Sequence, residues 1–228
     1  MKTTAITPNL IQLTKFGVMN AYLVREDDGF TLVDTTMGAA DDLIAEATAA
    51  GAEIKRIVLT HGHSDHVGSV DSLRAKLGPG VPLLMTETDA KILAGETVDF
   101  GPTGKQRGGW PKLKTKPDTL LKPGDRVGSL QVFDSAGHTP GHIAFLDTRD
   151  GSLIAGDAFS SIGGLAVPSH PHWRFPLPWL ATCDRPRAVV AAEGLRVLKP
   201  NMLVVGHGAA IAQPTAAMDR ALAAAHHS

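Results

Sequence analysis

The stretch Ile54-Lys55-Arg56-Ile57-Val58-Leu59-Thr60-His61-Gly62-His63-Ser64-Asp65-His66 runs from an apolar segment directly into three imidazoles and a carboxylate. The apolar residues of Ile54–Thr60 predict a buried strand. Imidazole nitrogen and carboxylate oxygen suit zinc and similar first-row ions. Four such groups beside a glycine at the end of a buried strand make sense around metal and little sense in an ordinary surface loop. His61, His63, Asp65 and His66 are therefore candidate ligands.

Three more candidates occur in similar settings. His138 lies in Ala136-Gly137-His138-Thr139-Pro140-Gly141-His142, after a run ending at Asp134. Asp157 follows Ala155-Gly156 at the end of Ser152–Ala155, and His207 sits in Val205-Gly206-His207-Gly208 after Met202–Val205. Each follows an apolar strand and has glycine beside it, which permits a sharp turn across a strand end. Taken singly, each could merely cap a turn. Taken in order after the first run, they extend it, because strand ends on one rim can converge in space. Seven candidates exceed the needs of one tetrahedral ion, but fit two ions roughly 3.5–4 Å apart that share a carboxylate.

Around these residues the first half alternates strand and helix signals. Strands are expected at Asn20–Val24, Phe30–Asp34, Ile54–Thr60 and Val81–Thr86, with helices at Ala39–Ala50, Val67–Leu77 and Glu87–Ala94. Residues 95–118, rich in Gly and Pro, read as a long loop. The second half gives strands at Leu120–Leu121, Leu130–Asp134, His142–Asp147, Ser152–Gly156 and Met202–Val205. Its helices are Arg185–Leu198, capped by Asp184 with Pro186 in the first turn, and Thr215–Ala225. Residues 158–183 form a second irregular stretch. The pattern suggests two mixed sheets covered by helices, and no linker divides it cleanly, so residues 1–228 are counted as one domain.

Composition narrows the function. At 43% hydrophobic residues the chain can bury a sizeable core, and a net charge of −1 supplies no field for nucleic acid or anionic lipid. Cys183 is the sole cysteine, which excludes an intrachain disulfide and a cysteine-based zinc site. Met1–Leu13 lacks the apolar centre of a secretory signal, and no apolar run approaches the ~20 residues that span a bilayer. A cytoplasmic protein acting on a small molecule is expected, with neither membrane nor nucleic acid as partner and a homo-oligomer left open. His226 and His227, on what reads as a terminal tail, are left out of the site.

The ordered set His61-x-His63-x-Asp65-His66, His138, Asp157 and His207, with the strand ending Leu32-Val33-Asp34, resembles the metallo-β-lactamase fold superfamily over most of the chain. That resemblance implies an α+β fold with four layers, an αββα sandwich of two mixed β-sheets flanked by helices. It implies one metal ion on His61, His63 and His138, a second on Asp65, His66 and His207, and Asp157 as the bridge. Asp34 and His142 would stand behind the ligands. The implied cofactors are two divalent ions, zinc first, with iron or manganese also accepted. The implied enzyme is a binuclear metallo-hydrolase of EC class 3, in which an activated hydroxide cleaves an ester, lactone or thioester. Asp65 would orient the hydroxide or pass a proton to the leaving group.

The branch is narrowed by single positions. True zinc β-lactamases commonly carry Cys where Asp157 stands and rarely His at position 66, so antibiotic hydrolysis is not expected. Flavodiiron relatives have Glu in place of His63. Glyoxalase II and acyl-homoserine lactonases are similar in the Asp65-His66 pair and the Asp157 bridge. Yet Ser160 stands where the best-known lactonases have Tyr, and the stretch after His207 is short for the helical region of glyoxalase II. A mononuclear-iron thiol or persulfide dioxygenase and a metal-dependent phosphodiesterase or nuclease remain as alternatives.

Substrate would lie against the two irregular stretches. Trp173, Phe175 and Trp179, stiffened by neighbouring prolines, could wall an acyl group or simply cover the core. Trp110 stands among Lys105, Arg107, Lys112, Lys114 and Lys116, a charge run that is ordinarily solvated. His170 and His172 read as surface loop histidines.

Overall fold

Residues 1–227 are described by a computed structural model; Ser228, the last residue of the expected domain, lies outside the described residues. The chain forms two compact units, one of Met1–Glu96 with Trp110–Leu121, the other of Thr97–Gly109 with the chain from Lys122 onward. Each is a mixed β-sheet with flanking helices, so the α+β class expected from the pattern is the class observed.

The first unit holds a seven-stranded sheet in chain order: β1 (Lys2–Thr7), β2 (Leu10–Lys15), β3 (Met19–Glu26), β4 (Gly29–Val33), β5 (Ile54–Val58), β6 (Leu83–Thr86) and β7 (Thr119–Leu121). Strands β1–β4 pair antiparallel and β4–β7 parallel. Parallel neighbours need crossovers, and helices α1 (Ala40–Ala49), α2 (Ser64–Val67), α3 (Val70–Leu77) and α4 (Glu87–Leu93) lie in those connections. Leu43 of α1 and Val70 and Leu73 of α3 join Leu23, Leu32, Ile57 and Leu59 of the sheet side in one buried cluster. The parallel strands thus end together on one rim, where Asp34 and the run from Thr60 onward emerge.

The second unit holds a six-stranded sheet of order β13-β12-β11-β10-β9-β8. Its strands are β8 (Arg126–Val127), β9 (Leu130–Asp134), β10 (Ile143–Asp147), β11 (Ser152–Ile154), β12 (Met202–Val204) and β13 (Ile211–Ala212). Only β11 and β12 pair parallel, as Ile154 opposite Val204. Ile143 opposes Asp134, and Phe145 opposes Ile154. The end of β9, the start of β10 and the ends of β11 and β12 therefore share one rim. Helices α5 (Leu177–Ala181), α6 (Arg185–Val197) and α7 (Thr215–His226) complete the unit. Asp184 caps α6 by accepting from the Arg187 amide, as expected.

Several boundaries differ from the sequence reading. The helix expected over Val67–Leu77 is two helices, α2 starting three residues earlier and α3 resuming after Gly68 and Ser69. The break has a cause: the Ser69 hydroxyl accepts from the Ala39 amide and donates to the Thr36 carbonyl, so it is spent on the neighbouring loop. The N-terminal hairpin β1–β2 lacked a signal because β1 is a Thr-rich edge strand with no fully buried residue. Residues 158–183 contain α5 and a bridge between Ser160 and Ala166 rather than loop alone. His226 closes α7 and pairs with Glu193, so it is helical rather than part of a tail.

Candidate metal centre

In the first unit Asp34 organises the run of candidate ligands. It sits just past β4 in the left-handed region, φ 59°, a conformation uncommon for non-glycine residues. Its carboxylate is 1% exposed. Oδ1 accepts from the Thr60 amide at 2.8 Å, and Oδ2 accepts from the Thr60 hydroxyl at 2.8 Å and from His66 Nδ1 at 2.8 Å. His66 is thereby held with its proton on Nδ1, leaving the Nε2 lone pair to face the rim. The Thr60 hydroxyl has only one proton, already given to Asp34, so its 3.0 Å contact with His61 Nδ1 must have the imidazole donating. His61 is fixed in the same tautomer by the same carboxylate, one step removed.

Helix α2 starts at the loop itself. The His63 carbonyl accepts from the His66 and Val67 amides, and this single turn turns His66 back toward His61, ring centres 4.0 Å apart. His63 stands edge-on to His61 at 4.9 Å. The candidate ligand atoms of His61 and His63, of His61 and His66, and of Asp65 and His66 each lie within 4.8 Å of one another. Asp65 is the solvent-facing member, its side chain 30% exposed and Oδ2 3.9 Å from His66 Nε2. Two further residues support the run: Asp89, which the sequence reading misses, and Trp110, which it places near substrate. Asp89 of α4, fully buried, accepts from the Gly62 amide at 2.9 Å, and Trp110 packs edge-on against His63 at 4.8 Å. A Cβ on Gly62 would meet the Trp110 ring at 2.6 Å, so only glycine lets the loop pass under it.

In the second unit His138, Asp157 and His207 meet on the common rim. Asp157 Oδ2 lies 3.3 Å from His138 Nε2 and 3.2 Å from His207 Nε2. His138 Nδ1 is 2.9 Å from the Thr182 hydroxyl. His142, in the run expected to stand behind the ligands, touches Asp157 through its backbone. Its Nε2 accepts from the Asp157 amide at 3.0 Å, so the Nδ1 proton is the one given to Ser135 Oγ at 2.7 Å. Gly137 allows all of this to fit against α6. Its φ is 148°, and a Cβ there would lie 2.3 Å from the Ala188 amide nitrogen. Gly137→Ala is expected to displace His138 and cost about 3 kcal/mol of stability, from overpacking plus an unfavourable φ. Thermal unfolding of the metal-free protein checks it; an unchanged midpoint would contradict the fit.

The aromatic residues expected near substrate separate. Phe175 packs on His207, ring centres 5.2 Å apart. Ser160 donates to the His207 carbonyl at 3.3 Å, so this hydroxyl steadies the His207 loop. Ser160, Phe175, Trp179 and His170 line one recess of the second unit. Burial, with His172 beside it, holds the His170 imidazolium below its usual pKa. Trp173 does not line that recess: it is 79% exposed, with the Arg174 guanidinium 4.7 Å from its ring centre. Cys183 is buried, as read from the sequence. Among the described residues no helix is long and apolar enough to cross a membrane.

Both clusters have donor sets that fit a divalent metal. They consist of imidazoles and carboxylates, with partners at Nδ1 of His61, His66 and His138 that orient those rings. Comparison with known proteins agrees. The profile of the family described as "Metallo-beta-lactamase superfamily" matches residues 14–207, through both units. The chain is 40% identical to the uncharacterized protein YobT of Bacillus subtilis, with 92% of this chain and 93% of that one covered. It is 28% identical to the hydroxyacylglutathione hydrolase GloC of Haemophilus influenzae, covering 71% and 76%. The crystal structure of TTHA1623 in a di-iron-bound form is similar with a TM-score of 0.63 at 25% identity, covering 95% and 97%.

Proposed function

This chain belongs to the metallo-β-lactamase superfamily, and from that premise we propose that its two ligand clusters act as one catalytic domain. In this reading His61, His63 and His138 hold one metal ion, Asp65, His66 and His207 a second, and Asp157 spans them. The reaction is hydrolysis of an ester, lactone or thioester. When bound, two such ions supply Lewis acidity and a nucleophilic hydroxide at neutral pH, because a metal-held water loses its proton far more readily than bulk water.

The observation that carries the reading is the shared state of three imidazoles. Asp34 and Thr60 hold the Nδ1 protons of His66 and His61, while Thr182 faces Nδ1 of His138. Fixing Nδ1–H is what a protein does when Nε2 must bind a cation. The remaining residues have distinct tasks. Asp65, the most exposed of the set, exchanges protons between the reacting atoms and solvent. Phe175 and Trp179 exclude water from an apolar acyl group. Trp110 holds His63 in place and borders the substrate. Zinc is the proposed ion, and iron the second choice because TTHA1623 is described in a di-iron-bound form. The likeness to GloC favours a thioester or ester over a phosphodiester.

The test is metal content together with a substrate panel of lactones, thioesters, aryl esters and phosphodiesters. Two equivalents of metal per chain, with chelator-sensitive turnover of one carbonyl ester class, are expected. One iron with thiol-dependent oxygen uptake, turnover of phosphodiesters alone, or no retained metal would overturn the proposal.

A further inference from the structure

Thr182 belongs to no motif and lies 44 residues from His138, yet its hydroxyl meets His138 Nδ1 at 2.9 Å. The same hydroxyl is 2.7 Å from the carbonyl oxygen of Pro178, in the first turn of α5. A carbonyl can only accept, so the single hydroxyl proton goes to Pro178. Toward His138 the oxygen must then accept, and the imidazole donates from Nδ1. Thr182 is fully buried, so no water competes for either bond. The backbone around it is pinned as well: the Cys183 amide donates to the His138 carbonyl and the Asp184 amide to the Gly137 carbonyl, both at 2.9 Å.

We infer that Thr182 is a positioning residue through which helix α5 sets the cation-binding tautomer of His138. This rests on the proposed metal-binding role of His138. With α5 formed, Pro178 holds the hydroxyl proton, His138 keeps Nδ1–H, and its Nε2 lone pair faces Asp157 Oδ2 at 3.3 Å. With α5 unwound, the hydroxyl is free to donate to Nδ1, the ring takes up the Nε2–H tautomer, and the lone pair turns away from the cation. The helix carrying Trp179 therefore reports its own folding to a ligand. Order in the aromatic segment and affinity for metal are coupled through one hydroxyl.

The test uses the full chain titrated with Co²⁺ alone. Thr182→Val keeps the shape and removes the hydroxyl; Thr182→Ser keeps the hydroxyl. Leu180→Pro removes the bond from the Leu180 amide to the Pro176 carbonyl that builds α5, and leaves Thr182 in place. Thr182→Val is expected to weaken one Co²⁺ equivalent by about 10- to 100-fold. Thr182→Ser should bind like wild type. Leu180→Pro should weaken the same equivalent, and the double variant Leu180→Pro/Thr182→Val should be no weaker than Thr182→Val. In proton spectra of the cobalt-loaded protein, one shifted imidazole N–H resonance, lost in D₂O, should disappear or exchange faster in Thr182→Val. Wild-type affinity and an unchanged resonance in Thr182→Val would overturn the inference, as would additive effects of the two substitutions. Thr182→Ala gives the same readings should the valine variant fail to fold. A wild-type chain that binds no Co²⁺ would instead overturn the proposed metal centre itself.

Discussion

Asp157→Ala protein is expected to retain one metal equivalent or fewer and to lose turnover on the order of 10³-fold or more, while staying folded. The carboxylate lies between two imidazole nitrogens, 3.3 Å from His138 Nε2 and 3.2 Å from His207 Nε2. In the proposed centre it is the anion shared by both cations. Without it, the second unit would offer the metal ions only the imidazoles of His138 and His207. The His142 bond to the residue 157 amide survives the substitution, so the backbone should hold its path. Elemental analysis and steady-state kinetics on the same preparation check this. Two equivalents bound with wild-type affinity would contradict the bridging role.

Asp34→Asn should have a comparable effect without replacing any proposed ligand. The amide oxygen can replace Oδ1 in accepting from the Thr60 amide, which places the amide nitrogen where Oδ2 stands. That nitrogen donates, so it would donate to His66 Nδ1 and to the Thr60 hydroxyl in place of accepting from them. The Thr60 proton would then turn to His61 Nδ1. One isosteric change thus inverts two tautomers and removes two Nε2 lone pairs from the rim. Wrong-tautomer substitutions of this kind cost ~10⁴-fold in turnover where the geometry is otherwise kept. We expect a loss of that order, with metal affinity falling in parallel and the thermal midpoint changing far less. Metal titration by calorimetry is the direct check, and wild-type affinity in the Asn variant would sink the tautomer argument for the first unit.

How much of this was legible beforehand varied with the length and character of the signal. The strands preceding each candidate ligand were visible because they are mostly apolar runs with a glycine shortly after them, and β9 was bounded as observed. The edge strand β1, the two-residue strands β8 and β13, and α5 were not visible. An edge strand buries too little to need an apolar pattern, and two residues carry no period. The break between α2 and α3 depends on where the Ser69 hydroxyl finds partners, which lie in the loop at residues 36–39.

By itself the sequence determined the chemistry on offer: three histidines and an aspartate in one loop, then His138, Asp157 and His207, each behind an apolar strand. Ligand type and turn-forming glycines are local properties, so local reading suffices. Only the tertiary structure decided which nitrogen of His61, His66 and His138 carries the proton. That choice belongs to Asp34, Thr60, Thr182 and the Pro178 carbonyl, most of them distant along the chain. A proton's position is fixed by the whole chain of donors and acceptors around it, and folding alone brings that chain together.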